Sequence, residues 1–259
     1  KNIIYYLNSC IIMMVKLKYV FLIFCLIVFS SLMLNKTTDA ISNGDKYFLL
    51  MRYRDAIAWY KLDSTSSEAQ WKIAKANICY GDVTTSSEKE QYYRAGEQAA
   101  EKCISMDPTN SNGYTWRAAA FGNIAMYEGS TSRVKLCTSI KNDLLKAIQL
   151  NSKDDIAYSI LGSLYREIGN ISWIEKQLAM TFIGKIPDGG YVESEQCFNK
   201  AIAINAQLMR HWYELGLLYT YWDKPEKALV AFQRAKTCPV LIASDKNKLI
   251  DIEKRISDQ

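Results

Sequence analysis

The chain has 259 residues and a formal net charge of +5, with only 4 Pro and 12 Gly. Common Ala, Leu, Ile, Lys and Glu favour helix over sheet. Four lysines against Asp39 put +3 of the charge in the first forty residues and leave +2 for the rest. That excludes the clustered positive charge a nucleic-acid surface needs.

The first segment with a pattern is MVKLKYVFLIFCLIVFSSLMLNKTTDA, from Met14, behind a thirteen-residue extension. Lys16 and Lys18 give a basic start, residues 19–34 are free of charge and almost wholly apolar, and Thr38-Asp39-Ala40 offers small residues. This is the three-part layout of a secretory signal, so export to a periplasmic or extracellular space after cleavage near Ala40 is expected. The apolar run is also close to the minimum for a span, and an uncleaved membrane anchor over 19–34 is the alternative. A lipid attachment at Cys25 is not expected, because Phe24 is not the small residue such a site needs. The chain thus divides into residues 1–40 and a folded body over 41–259.

Along the body, helical spacing recurs. Tyr53, Ala56 and Tyr60 read as the second helix of a partial leading unit. Trp71, Ala74 and Ile78, then Tyr93, Ala100 and Cys103, form the next pair. Asp107-Pro108 marks a boundary, after which Phe121, Gly122 and Gly129 mark a first helix and Leu144 and Ala147 a second. Tyr158, Leu161, Gly162, Tyr165 and Gly169 open another unit, closed by Tyr191, Ser194, Phe198 and Ala201. About twenty extra residues separate those halves, relative to a 34-residue template. They include Ser172 and Glu175 at capping-box spacing, an apolar helix Trp173–Ile183 and a Gly/Pro loop. The clearest copy comes last: Trp212-x-x-Leu215-Gly216-x-x-Tyr219, then Ala228, Phe232 and Ala235, with Pro239 at its end. Asp223 and Glu226 flank Pro225 at capping-box spacing. Leu241 to Ile256 reads as a polar terminal helix that caps the stack.

The Trp212 copy matches the tetratricopeptide repeat, a helix–turn–helix of about 34 residues. The expected fold is therefore an all-α tetratricopeptide-repeat solenoid of antiparallel helix pairs, with an inserted helix and a C-terminal capping helix. The insertion Arg166–Asn205 and the stretch CISMDPTNSNGYTWRAAAFGNIAMYEG (Cys103–Gly129) further resemble the regulator of microtubule dynamics family over roughly residues 45–257. The resemblance implies a non-enzymatic repeat protein, exported in bacterial members. Some eukaryotic members sit at organelle membranes, and one is implicated in contact sites and phospholipid binding. The resemblance assigns no ligand, and behind a secretory signal it gives no ground for microtubules.

No catalytic constellation is visible, and no cofactor is expected. The five body cysteines (79, 103, 137, 197, 238) form no C-x-x-C pair and His211 is the single histidine, so metal-ligand spacing is missing. They read as small buried apolar residues. Gly184-Lys185-Ile186 fails the P-loop pattern, which needs Ser or Thr after the Lys. Asp107 and Asp154-Asp155 fall where helix starts favour carboxylates. Asn35-Lys36-Thr37 and Asn170-Ile171-Ser172 match the glycosylation pattern, which is common by chance.

Binding remains. First helices line the concave groove of such a solenoid, and positions between the packing residues are Lys72, Trp116, Asn123, Ser159, Ser163, Arg166, Arg210 and Tyr213. Lys72, Arg166 and Arg210 would meet an acidic peptide end or a phosphate, and Trp116 and Tyr213 would make apolar contact. A solvated helix face is the competing reading. The Lys/Asn clamp for chaperone tails is not reproduced, since Ala76 stands one turn after Lys72. The expected function is a scaffold that binds a peptide or partner protein. The alternative is a phospholipid-binding or lipid-transfer module with an apolar cavity under the inserted helix. An apolar tunnel of several hundred Å³ would favour lipid and a polar groove would favour peptide, on the order of usual ligand-pocket sizes.

Overall fold

The computed structural model of the chain describes residue 18, residues 39–172, 176, 177, 179 and 181, and residues 186–258. The apolar run 19–34 and most of the helix expected over Trp173–Ile183 lie outside the described residues. Within them every element is helical and no strand occurs. No described helix is long and apolar enough to cross a membrane.

The helices pair in sequence. α1 (39–49) pairs with α2 (Tyr53–Tyr60), followed by a 3-10 turn, Lys61–Asp63. α3 (Ser67–Gly81) pairs with α4 (Lys89–Met106), and α5 (Ser111–Glu128) with α6 (Ser130–Leu150). α7 (Asp155–Asn170) pairs with α8 (Tyr191–Ile204), and α9 (Met209–Tyr221) with α10 (Pro225–Lys236). α11 (Ser244–Ser257) covers the end; it buries only Asp245 and Ile252 fully, as a cap should.

Each pair is closed by a small residue on its first helix. A Cβ on Gly44 would stand 2.2 Å from the Tyr60 ring, on Gly81 2.6 Å from Tyr93, on Gly162 2.8 Å from Phe198 and on Gly216 2.5 Å from Phe232. The aromatic ring of the second helix therefore lies directly on first-helix backbone. One sequence expectation changes here. The leading unit is not only a second helix, because α1 supplies the first and Gly44 seats Tyr60 by the same rule. Gly122 is not the close-approach position of its unit, since nothing lies within 4 Å of its Cβ site. Ala118, one turn earlier and fully buried with Leu144 and Ala147, takes that place.

Helix starts follow side-chain chemistry. Ser66, Asn110 and Asp154 each accept a backbone N–H of the first turn, from Ala69, Asn112 and Ala157. Asp107 instead stabilises the preceding turn, accepting from Thr109 N at 2.9 Å and Thr109 Oγ1 at 2.6 Å. Asp223 does not cap α10: it adopts φ of 53° and turns the chain, while Lys224 holds the N-cap position without a side-chain bond and Pro225 starts the helix. The inserted segment re-enters the fold at Ile186, buried in the cluster of α6 and α7, and Lys141 Nζ donates to the Asp188 carbonyl at 2.9 Å. Of the five described cysteines, 79, 103 and 137 are buried and all five are free. Burial pushes the Cys79 thiol up to about 12, which leaves it unreactive.

Candidate binding face

The first helices α3, α5, α7 and α9 lie side by side, each packed on the next. Their polar residues tie neighbours together. Lys72 is buried, with Nζ 2.6 Å from Asp45 of α1 and 3.0 Å from Glu68. Asn123 donates to Asp82, just beyond α3, at 3.1 Å. Ser159 is fully buried and accepts Arg210 Nε at 3.3 Å. The Ser163 hydroxyl lies 3.1 Å from both the Ser159 carbonyl and the Glu214 carboxylate. Arg166 is buried, with Nη1 2.6 Å from Glu214 and Nη2 3.2 Å from Glu167. Tyr213 donates to Asp251 of α11 at 2.9 Å.

This placement alters the expected roles. Lys72, Ser159 and Arg166 are not presented to solvent, because each already holds a neighbouring helix. Sequence counting places these residues on one side of their helices but cannot see the next repeat, which supplies their partners. Burial by itself would raise the Glu214 carboxyl. The charges of Arg166 and Arg210, with hydrogen bonds from Arg166 and Ser163, outweigh it and hold Glu214 at about 2.

What stays uncommitted is smaller. Arg210 makes no ion pair among the described residues, although its charge acts on Glu214 and Asp82. Trp116 is half-buried at the edge of the first core cluster. Lys75 stands beside it, a residue the sequence reading missed although it follows Lys72 by three positions on the same helix. Its Nζ lies 4.4 Å from the Phe48 ring centroid and 5.8 Å from that of Trp116. Lys75 has no ion pair among the described residues, and burial lowers its pKa against the opposing charges of Cys79 and Asp45. Asp82 is the second residue missed. Burial raises its carboxyl, opposed by Lys248 and Arg210 and by the hydrogen bond from Tyr93. The charges of Lys248 from α11, Arg210 from α9 and Lys89 from α4 thus act on one carboxylate that accepts hydrogen bonds from Tyr93 and Asn123.

Away from this face, between α8, α9 and α10, an open cleft of about 460 Å³ is lined by Trp212, Leu215, Tyr219, Lys227 and Val230 among others. It is not an enclosed apolar tunnel: Glu226 and Lys227 stand in its wall, and Tyr219 donates to Glu195 at 2.6 Å. The conspicuous aromatics of the last repeat therefore pack between helices. No group of His, Cys, Asp and Glu suited to a metal ion occurs among the described residues. His211 is buried, with Nε2 3.0 Å from Asp155 Oδ2.

Comparison with known proteins agrees with this architecture. A tetratricopeptide-repeat protein of Thermus thermophilus superposes with a TM-score of 0.61 at 15% identity, over 86% of this chain and 97% of that one. Regulator of microtubule dynamics protein 2 of Mus musculus is 28% identical over 199 residues, 75% of this chain and 48% of the mouse protein. Regulator of microtubule dynamics protein 1 of Bos taurus is 25% identical over 207 residues, 77% of this chain and 62% of the bovine protein. The chain spans about half the length of the protein 2 relatives it matches. The family model described as regulator of microtubule dynamics protein 1-3 matches residues 35–258. With the helix pairs and their capping helix, that match places this chain in the regulator of microtubule dynamics family.

Proposed function

We propose that this chain is a non-enzymatic scaffold that takes a segment of a partner protein on the face built from α3, α5, α7 and α9. The observation that supports it is uneven pairing. Lys72, Arg166 and Lys248 form ion pairs with carboxylates, while Arg210 and Lys75 form none among the described residues. Lys75 beside the half-buried ring of Trp116, with Arg210 further along the same face, suits an acidic side chain or chain end with an apolar neighbour. A phosphate ester would meet the same cations. The phospholipid reading needs an apolar cavity under Trp173–Ile183, outside the described residues, whereas the described face is polar.

Proteins captured by the full chain should depend on this face. Arg210→Glu is expected to reduce their retention at least tenfold, with the cooperative unfolding transition kept. Equal retention by both forms would sink the peptide reading. Phospholipid in stoichiometric amount by mass spectrometry of the purified chain would replace it with the lipid one.

We further propose that the module works at the outer side of a membrane, held by residues 19–34. In support, Asp39 and Ala40 already belong to α1, and Ala40 is 1% exposed. Cleavage at Ala40 would therefore cut within a packed helix. The chain is expected in the membrane fraction with its N-terminus upstream of residue 39. A soluble exported form beginning at Ile41 would show cleavage instead.

A further inference from the structure

In an open solenoid each repeat contacts only its neighbours. Here the two ends meet. The Ala243 N–H donates to the Tyr53 hydroxyl at 2.8 Å, across 190 positions of sequence. Ile242 and Ala243 pack into the first core cluster, with Phe48, Tyr53 and Cys79, beside Trp116. The segment that does this, Val240–Ala243, is not helical. It is held in shape from its far side. Asp245, 1% exposed, accepts the N–H groups of Leu241 and Ile242, both at 3.1 Å, and pairs with Lys248 at 3.0 Å. One short irregular stretch thus leaves the last repeat, lays two apolar side chains on the first, and turns back into α11.

We infer that Val240–Ala243 is a strap that occupies, within the chain, a docking surface of the first repeats, and that a partner segment of the same chemistry takes its place when the strap lifts. That chemistry is a short run of branched aliphatic residues followed by a carboxylate, as in the strap's own Val-Leu-Ile-Ala-Ser-Asp. The aliphatic part would cover Phe48, Tyr53 and Trp116. The carboxylate would meet Lys75, which faces the same two rings, Phe48 and Trp116, without an ion pair among the described residues. The Tyr53 hydroxyl would accept a backbone N–H from the newcomer as it does from Ala243. Among the described residues the strap is attached to the first repeats by one hydrogen bond and two half-buried side chains, whereas α11 behind it is fixed by Ile252, fully buried in the last cluster. The strap can therefore leave without unfolding the cap. The partner class rests on the scaffold reading above, but the strap itself does not.

Two measurements on the full chain test this. In hydrogen exchange, Tyr53→Phe removes the acceptor and keeps the ring. The Ala243 amide is expected to exchange at least tenfold faster while amides of α2 and α3 keep their protection. An Ala243 amide that is unprotected in the native chain, or unchanged by Tyr53→Phe, overturns the strap. The second uses a labelled synthetic peptide covering residues 239–246, PVLIASDK. It is expected to bind Ile242→Asp, whose strap is expelled by a charge, at least tenfold more tightly than the native chain. Equal binding to both, or no binding to an Ile242→Asp chain that still unfolds cooperatively, overturns the docking surface. A protected strap with no captured partner would sink only the scaffold reading, and partner capture that needs Arg210 with an unprotected Ala243 would sink only the strap.

Discussion

Glu214→Ala is expected to lower the stability of the chain by about 3–5 kcal/mol, the range for leaving a buried charge without its partner. Arg166 would lose its 2.6 Å contact and keep only Glu167, which is partly exposed. Ser163 would lose its cross-repeat partner as well. The joint between α7 and α9 would then keep only the Arg210–Ser159 and His211–Asp155 contacts at its other end, beside the apolar packing. Replacing both charges, Arg166→Met with Glu214→Leu, is expected to cost far less, because no unpaired charge remains. The difference in urea midpoints between single and double variants is the reading. A single variant within about 1 kcal/mol of the native chain would mean that the pair is solvated and worth no more than a surface one.

The same pair sets an acid limit. The folded Glu214 carboxyl sits at about 2, below the unfolded reference of roughly 4.3 for Glu. A depressed carboxyl contributes stability that is fully present above the unfolded value and is lost as pH falls through the folded one. The loss therefore lies between about pH 4.5 and pH 2, and integrates to on the order of 3 kcal/mol. In Glu214→Gln that part of the acid titration of stability should disappear.

Phe232→Ala is expected to cost about 3–5 kcal/mol, since the ring is fully buried and leaves a cavity between α9 and α10. Gly216→Ala attacks the same contact from the other side. Its Cβ would stand 2.5 Å from the Phe232 ring, and the ring has little room, flanked by Tyr213 at 6.1 Å and Arg255 at 5.5 Å. Overpacking of that kind costs roughly 1–3 kcal/mol. The two changes should not add: Gly216→Ala in a Phe232→Leu background is expected to be nearly neutral. Gly122→Ala is the control. Its Cβ position is open and its backbone helical, so the same substitution should stabilise by about 1 kcal/mol. Thermal unfolding of the set checks all four values. A destabilising Gly122→Ala would show that the third unit closes on Gly122 after all.

The repeat fold was legible because its code is local. Gly216, Phe232, Gly162 and Phe198 announce close helix pairs from their spacing alone, since a glycine lets the ring of the facing helix rest on its backbone. Gly122 marks its helix without closing it: a glycine in a helix is also tolerated where nothing packs on it, and only Ala118, buried against Leu144, shows which residue does the work. The polar side of the first helices was legible as a side and not as a site. Helical spacing placed Lys72, Ser159, Arg166 and Arg210 on one side of their helices, but whether each is free depends on what the neighbouring helix presents. Asp45 and Glu214 neutralise two of them, and no spacing within a repeat encodes that. The largest gap was at the ends. Sequence by itself determined the helix pairs, their order and the polar cap, because those follow from contacts between residues within about forty positions of one another. Only the tertiary structure decided that Ile242 and Ala243 rest on Phe48 and Tyr53, because that contact depends on the superhelical curvature summed over every repeat between them.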